Sequence, residues 1–461
     1  MKKILCIVLS MIFMVMTFQI GVYAAAYTDI KSGKWYTNAV NYCLENNLME
    51  PAGDTRFGVN ENVTRGEMAY LLWNIAGRPT IEPDDPEVDF IDLPFTDLIR
   101  FDKYTDAIRW CAQYKILSGY PSGAFGVNDF LKREQFATAI KSLCEYKGYD
   151  TAATATLTEF KDRNNISDYA KNSMMFCVAN GVICGTKVKG ELLLSPKSYL
   201  TRSQSAVIIK AFFDNILSKE NAKMRNGKYV LDGGGGTGSG DSFAFWDAIY
   251  SLTNKATPNL LYIGFAQTNP SGDYGYIKNL VEGEEYHSKA DILTEDDIKD
   301  ISVAKAKIDN ADIIYVCGGS SVRLLDMLKE YKILALIRTA QNRGAIMCGS
   351  SAGAICFSAF GESQTALGYW RIDGTAGVNL LYCPHSLTDS ARYDKLESEL
   401  RQTPYINAVA LDGACLVVDG NRYKAVIYKT GYMANLCKIV NGEYVVTPLS
   451  TEWAPLSDIT N

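Results

Sequence analysis

The stretch Ala345–Ala354, with the sequence AIMCGSSAGA, decides how we interpret the second half of the chain. A short apolar run meets a Gly-x-Ser-x-Gly turn, and the small residues that follow can begin a helix. This order of strand, strained turn and helix is typical of a nucleophile elbow, which holds a serine at the tip of the turn. The N–H groups and the positive dipole end of such a helix favour a developing oxyanion. The pattern predicts that Ser351 is a nucleophile.

Short apolar strands alternate with helices from about residue 227 onwards. We predict strands at 229–231, 260–265, 313–317, 345–348, 409–411, 415–418 and 424–428. We predict helices near 243–252, 321–328 and 332–341. This alternation indicates an α/β domain at 227–461 with a doubly wound, mostly parallel sheet. Sites in such sheets lie at the carboxyl ends of the strands, which is where Ser351 falls.

A serine nucleophile needs a general base, and the chain has two histidines. His385 follows an apolar run, on what reads as a loop at a strand end, whereas His287 lies in a charged stretch that is typical of solvated surface. We therefore predict His385 as the base. The base needs a carboxylate to orient it, and Asp412, directly after a predicted strand, is favoured over the alternative, Asp373.

Two glycine-rich turns are predicted beside the elbow. Gly318 and Gly319 follow a strand, and their N–H groups could form an oxyanion hole with that of Ala352; a plain strand-to-helix turn is the alternative. The run 232–240, DGGGGTGSG, lacks the Gly-Lys-Ser/Thr ending of a phosphate-binding loop, so we interpret it as a loop bordering the active site. Metal-ligand spacings are missing from the sequence, and we expect neither a metal nor a cofactor.

Residues 27–217 contain an internal repeat of a helical hairpin. The copies are predicted at 27–77, 95–150 and 151–217, with linkers at 78–94 and 218–226. Each copy opens on an aromatic-x-Asp motif and carries a cysteine in its first helix. The second helix begins with Thr64-Arg65-Gly66-Glu67 in the first copy, where Thr64 and Glu67 predict a capping box. Thr201 and Gln204 predict a second capping box in the third copy, whereas the second copy has Lys132 at the cap position of 132–135 and needs a cap from elsewhere.

An arginine recurs at the start of each second helix, namely Arg65, Arg133 and Arg202. A planar guanidinium at a helix N-terminus favours a carboxylate ligand. The alternative is that these arginines pair only with the recurring Asp29, Asp97 and Asp162.

These copies resemble the S-layer homology (SLH) module, which usually occurs in threes on exported bacterial proteins. The aromatic-x-Asp motif with Asp29, the Trp35 position and the Thr-Arg-x-Glu helix start carry the resemblance. It implies an all-α, pseudo-threefold bundle of hairpins. It also implies that Asp29, Trp35 and the three arginines bind a secondary cell-wall polysaccharide bearing ketal-linked pyruvate. Because the second copy has Lys103 at the Trp position, some grooves are expected to be idle.

The α/β region resembles the serine peptidase family of dipeptidase E and cyanophycinase, whose fold is like class I glutamine amidotransferases. The resemblance rests on 317–319, 349–353, Pro384-His385 and Ala410-Leu411-Asp412. It implies Ser351 as nucleophile, His385 as base, an acid at Asp412 or Asp373, and hydrolysis of peptide bonds near acidic residues. Two departures border the substrate and leave the specificity open: Ser320-Ser321 replace Asn-Thr, and Ser386 replaces an aromatic residue. Arg323 and Arg371 are candidates for binding a substrate carboxylate or for surface pairing.

The N-terminal segment 1–26 has the pattern of a secretory signal peptide. Lys2 and Lys3 precede an apolar run that ends in Ala24–Ala26. A membrane anchor is the alternative, because the run approaches spanning length. No later segment is expected to span a membrane, so we predict a secreted protein at the cell wall.

The composition limits which classes of partner the protein can bind. The formal net charge of −6 argues against nucleic acid, which requires a basic face. Twelve cysteines include Cys6 in the predicted signal peptide; the odd remainder fits poorly with a full disulfide framework, so we predict buried free thiols. The favoured function is a wall-anchored serine peptidase. The alternative is the same fold with an inactive site, acting as a binding module.

Overall fold

The computed structural model describes residues 27–79, 95–99, 102–220, 227–234, 242–365, 368–375, 377–403, 406–428 and 431–460. These residues form two compact units. The first contains the described parts of 27–75, 95–141 and 152–217, and the second those of 76–79, 142–151 and 218–460. The predicted signal peptide and most of both predicted linkers lie outside the described residues. Within the described ranges every helix is too short or too polar to cross a lipid bilayer.

Two helices from each copy build the first unit. They are α1 (Thr37–Glu45), α2 (Arg65–Ile75), α3 (Thr105–Gln113), α4 (Arg133–Tyr146), α5 (Lys171–Ala179) and α6 (Arg202–Phe212). The predicted capping boxes are confirmed. Thr64 and Glu67 exchange backbone-to-side-chain hydrogen bonds of 2.8 and 3.1 Å, and Thr201 and Gln204 do the same.

The prediction that this region is all-α is wrong in one place. The third copy contains an antiparallel hairpin of β1 (Thr186–Val188) and β2 (Glu191–Leu193). The two-residue turn between the strands, Lys189-Gly190, has positive φ at both positions, 51° and 88°. That geometry matches the twist of a tight hairpin, which explains why a short exposed segment pairs as strands.

The three copies contact one another in cyclic order. A cysteine Sγ in the first helix of each copy donates to a carbonyl in the second helix of the preceding copy: Cys43 to Ala206, Cys111 to Ala69 and Cys177 to Ala137. Isolated β-bridges join the segments before the second helices in the same way: Asn62 with Thr201, Thr64 with Phe130, and Lys132 with Tyr199. The third copy therefore makes the same contacts as the first two.

The second unit is built on an eight-stranded sheet. Its strands are β3 (Lys228–Asp232), β4 (Asn259–Ile263), β5 (Lys289–Leu293), β6 (Ile313–Val316), β7 (Ile346–Ser350), β12 (Ala414–Asp419), β13 (Arg422–Ile427) and β16 (Ala454–Pro455). Their order is β16-β13-β12-β3-β7-β6-β4-β5. The five strands from β3 to β5 in that order run parallel, and β12, β13 and β16 run antiparallel. The sheet is therefore mixed, with the parallel part centred on the predicted elbow.

Helices of this unit are α7 (Ser242–Tyr250), α8 (Ser271–Val281), α9 (Ile301–Asn310), α10 (Ser321–Glu330), α11 (Ile333–Asn342), α12 (Ala352–Cys356), α13 (Ser390–Gln402) and α14 (Ser457–Thr460). Several connect consecutive parallel strands, as the alternating pattern predicted. The strands β6 and β7 are buried at every position, which places the elbow at the end of the best-packed part of the sheet.

A second, six-stranded sheet was not predicted. It contains β8 (Ser358–Thr365), β9 (Gly368–Asp373), β10 (Val378–Pro384), β11 (Ala408–Asp412), β14 (Met433–Val440) and β15 (Glu443–Pro448). The order is β15-β14-β11-β10-β8-β9. The predicted strand at 409–411 belongs to this sheet and pairs in parallel with β10, the strand that leads to His385.

Every described cysteine is a free thiol. Ten of the eleven are buried and Cys184 is exposed. Burial raises the pKa of Cys43 and Cys177 to about 12, so these thiols stay protonated and pack as small apolar groups.

Candidate active site

Ser351 occupies a strained turn between β7 and α12. Its φ and ψ are 50° and −106°, and its N–H donates to the Asp232 carbonyl at 3.0 Å. Glycine is required on both sides: a Cβ on Gly349 would lie 2.6 Å from the Gly353 carbonyl carbon, and one on Gly353 would lie 2.0 Å from the Val316 oxygen. Such a turn is an outlier for a non-glycine residue and is typical of a functional position.

His385 meets the serine hydroxyl directly. Its Nε2 lies 2.9 Å from Ser351 Oγ. It follows β10 with a φ of 56°, and its N–H donates to the Gly233 carbonyl at 2.8 Å. The imidazole packs on Gly234, because a Cβ there would lie 2.0 Å from His385 Cε1. The two side chains that the sequence paired are thus in hydrogen-bonding contact.

The surroundings of His385 favour its neutral form. Burial lowers the pKa of His385 and the nearby Arg392 lowers it further, while Asp412 and Asp389 act in the opposite direction. The pKa stays below the ordinary value of 6.5. The imidazole is therefore neutral near pH 7 and has a lone pair to accept a proton.

Asp412 supports the loop after His385. It is 1% exposed, and its Oδ2 accepts hydrogen bonds from Leu387 N at 3.0 Å, Thr388 N at 2.8 Å and Thr388 Oγ1 at 2.9 Å. Across the described ranges, no hydrogen bond joins a carboxylate to the His385 ring. Asp412 therefore acts on the imidazole through its charge and through the loop.

Asp373, the alternative acid, lies elsewhere in the second sheet. It is buried at the end of β9 and forms an ion pair with Lys147. Its contacts do not include the histidine loop, so its position gives no support to a role as the orienting acid.

The double glycine lies against the elbow, as predicted. A Cβ on Gly318 would be 3.4 Å from Ser351 Cβ, and Gly319 has a φ of 140°. Ser320 N–H donates to the Ala266 carbonyl at 2.9 Å and fixes this turn. The N–H groups of Gly318 and Gly319 have no partner among the described hydrogen bonds, and that of Ala352 begins α12. Because α12 has only five residues, its dipole is small and individual N–H groups matter more than we expected.

A buried carboxyl lies behind the elbow. Asp232 is fully buried, and it accepts hydrogen bonds from Ser350 Oγ at 2.6 Å and Tyr428 OH at 2.7 Å. Burial raises the pKa of Asp232 in spite of these donors. The sequence showed this residue only as the start of the glycine-rich run, whose residues 235–240 lie outside the described part. Gly233 and Gly234 do border the site, as that interpretation required.

Ser351 opens into a cavity of about 360 Å³. The lining residues are Gly234, Gln267, Asp273, Tyr276, Ile277, Tyr315, Cys317, Gly318, Gly319, Ser350, Ser351 and His385. The members from 267 to 277 follow β4 and were missed. They could have been found from the rule that residues after parallel strands gather at one edge of the sheet.

The other candidate residues are placed away from the cavity. His287 is exposed, Arg323 pairs with Glu295, and Arg371 is 3% exposed with its guanidinium on Glu399 and Thr403. Neither arginine lines the cavity.

The model for Peptidase family S51 matches residues 230–426, which span the elbow, His385 and Asp412. The chain carries a family S51 serine peptidase domain. The S-layer homology domain model matches residues 26–69 and 94–137, which cover most of the first two copies. The third copy lies outside these matches.

Relatives match the two parts separately. The surface-layer 125 kDa protein of Lysinibacillus sphaericus is 25% identical over 194 residues, 42% of this chain and 15% of that protein. The uncharacterized peptidase YgaJ of Bacillus subtilis strain 168 is 26% identical over 144 residues, 31% of this chain and 63% of that protein. A crystal structure of a putative peptidase E protein from Listeria monocytogenes EGD-e aligns with a TM-score of 0.30 and 16% identity, over 49% of this chain and 99% of that one. The chain spans less than two thirds of either curated relative.

In the three copies, two of the three recurring arginines bind groups of another copy. Arg65 is 4% exposed and donates to the carbonyls of Phe125 and Ser118 in the second copy. Arg202 is 5% exposed and donates to the carbonyls of Phe57 and Glu50 and to the Glu67 carboxylate in the first copy. These two arginines do not form the structural pairs with the recurring aspartates that were the alternative to ligand binding.

The recurring aspartates have a turn-forming role instead. Asp29 accepts hydrogen bonds from the N–H groups of Phe57, Gly58 and Val59 at 2.7–2.9 Å. Partial burial raises the pKa of Asp29, but these three donors outweigh it and keep the pKa below its usual value. Asp97 and Asp162 bind the equivalent turns.

Among the residues predicted to bind polysaccharide, Arg133 has an unpaired donor and Trp35 has an exposed ring. Arg133 donates through Nη2 to the Cys184 carbonyl at 2.8 Å, but its buried Nε has no hydrogen-bond partner in the described residues. Trp35 is 65% exposed.

Proposed function

We propose that the chain is an exported peptidase held at the cell surface, which hydrolyses short peptides by acyl transfer through Ser351. The observation that carries the proposal is the 2.9 Å contact between His385 Nε2 and Ser351 Oγ, on a strained turn inside the matched S51 region. The cavity volume of about 360 Å³ is at the low end for ligand sites, which suits a substrate of a few residues.

In the acylation step, Ser351 Oγ attacks the scissile carbonyl carbon while His385 Nε2 accepts the hydroxyl proton. The carbonyl oxygen becomes an oxyanion, which the N–H groups of Gly319 and Ala352 stabilise, with Gly318 holding the same turn. His385 returns the proton to the leaving amine nitrogen as the C–N bond breaks. An ester on Ser351 and a free amine remain.

Deacylation repeats these two proton transfers with water as the nucleophile. His385 accepts a proton from the water as its oxygen bonds to the ester carbonyl carbon, and then donates it to Ser351 Oγ as the ester bond breaks. The product is a carboxylic acid and the enzyme is restored. Asp412 supports both steps, since its negative charge favours the imidazolium that forms transiently.

The SLH copies are proposed to bind a secondary cell-wall polysaccharide bearing carboxylate groups. Arg133 is the arginine best suited to this role, because it is only partly buried and makes one hydrogen bond among the described residues, whereas Arg65 and Arg202 are buried and make two or more. The remaining Nη donors of a guanidinium suit a carboxylate ligand. The exposed Trp35 supplies a face for stacking against a sugar ring.

A peptide-library digest with the full chain tests the activity. We expect cleavage by the wild type and none by Ser351→Ala, with both proteins giving the same circular dichroism spectrum. Equal cleavage by both variants would assign the activity to a contaminant. A folded wild type that cleaves nothing would favour the inactive binding module.

Retention on purified cell walls tests the anchoring. The wild type should be retained and released when the secondary polymer is removed, and Arg133→Ala should be retained less. Retention that persists on stripped walls would contradict polysaccharide binding. Loss of retention in Arg65→Ala but not in Arg133→Ala would contradict the choice of Arg133.

A further inference from the structure

The charge of the active-site cavity does not fit an acidic substrate. Resemblance to dipeptidase E implies cleavage beside acidic residues, which would need a cationic side chain in the cavity. Among the described lining residues there is neither a lysine nor an arginine. Residues 235–241, which continue from Gly234, contain none in their sequence. Arg323 and Arg371 pair with Glu295 and Glu399. Arg392, which follows His385 on α13, is buried, pairs with Asp389 and donates to the Pro384 carbonyl, and it does not line the cavity.

The one carboxylate of the described cavity wall is Asp273, in the first turn of α8. Its Oδ2 accepts a hydrogen bond of 2.6 Å from Gln267 Nε2, and the same nitrogen donates to the Gly318 carbonyl at 3.3 Å. A single amide thus fixes the acid relative to the glycine turn beside Ser351. The second carboxylate oxygen, Oδ1, has no protein partner among the described hydrogen bonds.

An aromatic ring stands on the same wall. Tyr276, one helical turn after Asp273, also lines the cavity and is 49% exposed. A carboxylate and a tyrosine face together form a site for a cation, which gains a charge-assisted hydrogen bond from one and a cation–π contact from the other. Asp273 is also favoured at a helix start, but this alone would not require it to face the cavity.

We propose that Asp273 and Tyr276 bind a substrate ammonium group and make the enzyme select peptides with a cationic amine at the residue on the acyl side of the scissile bond. This inference rests on the proposed function and sets its substrate class. Two sources supply the same chemistry, the α-ammonium of a free N-terminus and the side-chain ammonium of a lysine-like residue.

Binding to the full-length Ser351→Ala protein tests the inference without depending on turnover. Calorimetry would compare lysyl-alanine with norleucyl-alanine, which lacks the side-chain ammonium, with N-acetyl-lysyl-alanine, which lacks the α-ammonium, and with N-acetyl-aspartyl-alanine, which lacks both. We expect removal of the recognised ammonium to weaken binding by about 10-fold. The dipeptide that loses affinity therefore shows which of the two ammonium groups is recognised. The difference should shrink at high ionic strength.

Asp273→Asn, introduced into the same Ser351→Ala protein, should abolish this discrimination. Glu284→Gln removes an equal charge from the same unit, outside the cavity, and should retain it. Tightest binding of N-acetyl-aspartyl-alanine, or unchanged discrimination in Asp273→Asn, would overturn the inference.

Labelling of wild-type Ser351 by a fluorophosphonate separates this inference from the proposed function. Labelling combined with a preference for N-acetyl-aspartyl-alanine would retain the peptidase and overturn the cation site. The expected discrimination without labelling would retain the cation site and overturn the peptidase.

Discussion

Ser351 and His385 both adopt positive φ, 50° and 56°, and their side chains meet at 2.9 Å. Neither residue type favours this conformation, which costs about 1–3 kcal/mol for each residue in sparsely populated regions. The surroundings impose it, since the N–H of Ser351 bonds to the Asp232 carbonyl and that of His385 to the Gly233 carbonyl. The end of β3 therefore holds both partners in one geometry.

Gly234 should be essential because the imidazole packs on it. A methyl group there would lie 2.0 Å from His385 Cε1, so Gly234→Ala should displace the ring and lower kcat/KM by about 100-fold. Gly431 has nearly the same φ, 95° against 96°, but a Cβ there meets no atom within 4 Å. Gly431→Ala should therefore share the backbone strain and keep the activity. Equal losses in the two variants would show that strain, and not contact with His385, is responsible.

The pH dependence should follow His385. Because burial and Arg392 lower its pKa, kcat/KM should rise with pH through a midpoint below 6.5 and stay level near pH 7. Asp412 acts to raise that pKa, so Asp412→Asn should move the midpoint to still lower pH as well as reduce the rate. A midpoint that moves upward in Asp412→Asn would contradict the assigned electrostatic role.

Asp373→Asn should affect stability and leave catalysis intact. The substitution removes the partner of the buried Lys147, and breaking such a pair costs about 3 kcal/mol. We expect a lower unfolding midpoint in urea, with kcat/KM within about 2-fold of wild type at a temperature where the variant is folded. A 100-fold loss of kcat/KM in the folded variant would restore Asp373 as the orienting acid.

Substitution of Arg202 should mainly lower stability, whereas substitution of Arg133 should mainly reduce wall binding. Arg202 joins the third copy to the first through buried hydrogen bonds, so Arg202→Ala should destabilise the SLH copies by about 3 kcal/mol. Lys171→Ala, at an exposed surface pair, should change stability by less than about 0.5 kcal/mol. Arg133→Ala should reduce wall retention with a smaller loss of stability. An unchanged unfolding midpoint in Arg202→Ala would contradict the cyclic arrangement.

Local patterns made part of the fold predictable. The apolar run before Gly349, the small residues after Ser351 and the capping pairs at Thr64 and Thr201 each carry their information within a few residues. The second sheet has no such signal, because strands such as β8 (SAFGESQT) place polar residues in the interior and lack a regular alternation. The hairpin at Lys189-Gly190 was missed because its strands have three residues each.

Two features made part of the candidate site predictable: the small number of histidines in the chain, and the position of candidate residues directly after strands. With two histidines in the chain, the choice of His385 followed from its place after a strand. The contacts of Asp412 with Thr388, and the approach of Gln267 and Asp273 to Gly318, depend on tertiary packing between segments far apart in sequence. No periodicity in the sequence reports such contacts.

Site-resolved labelling with a fluorophosphonate is the most direct test of the central claim that His385 activates Ser351. The full chain should acquire one adduct on Ser351, found by mass spectrometry of the peptide that contains it, and His385→Gln should slow its formation by about 100-fold or more in a folded protein. An adduct that forms at the same rate in His385→Gln, or a folded wild type that acquires none, would contradict the account.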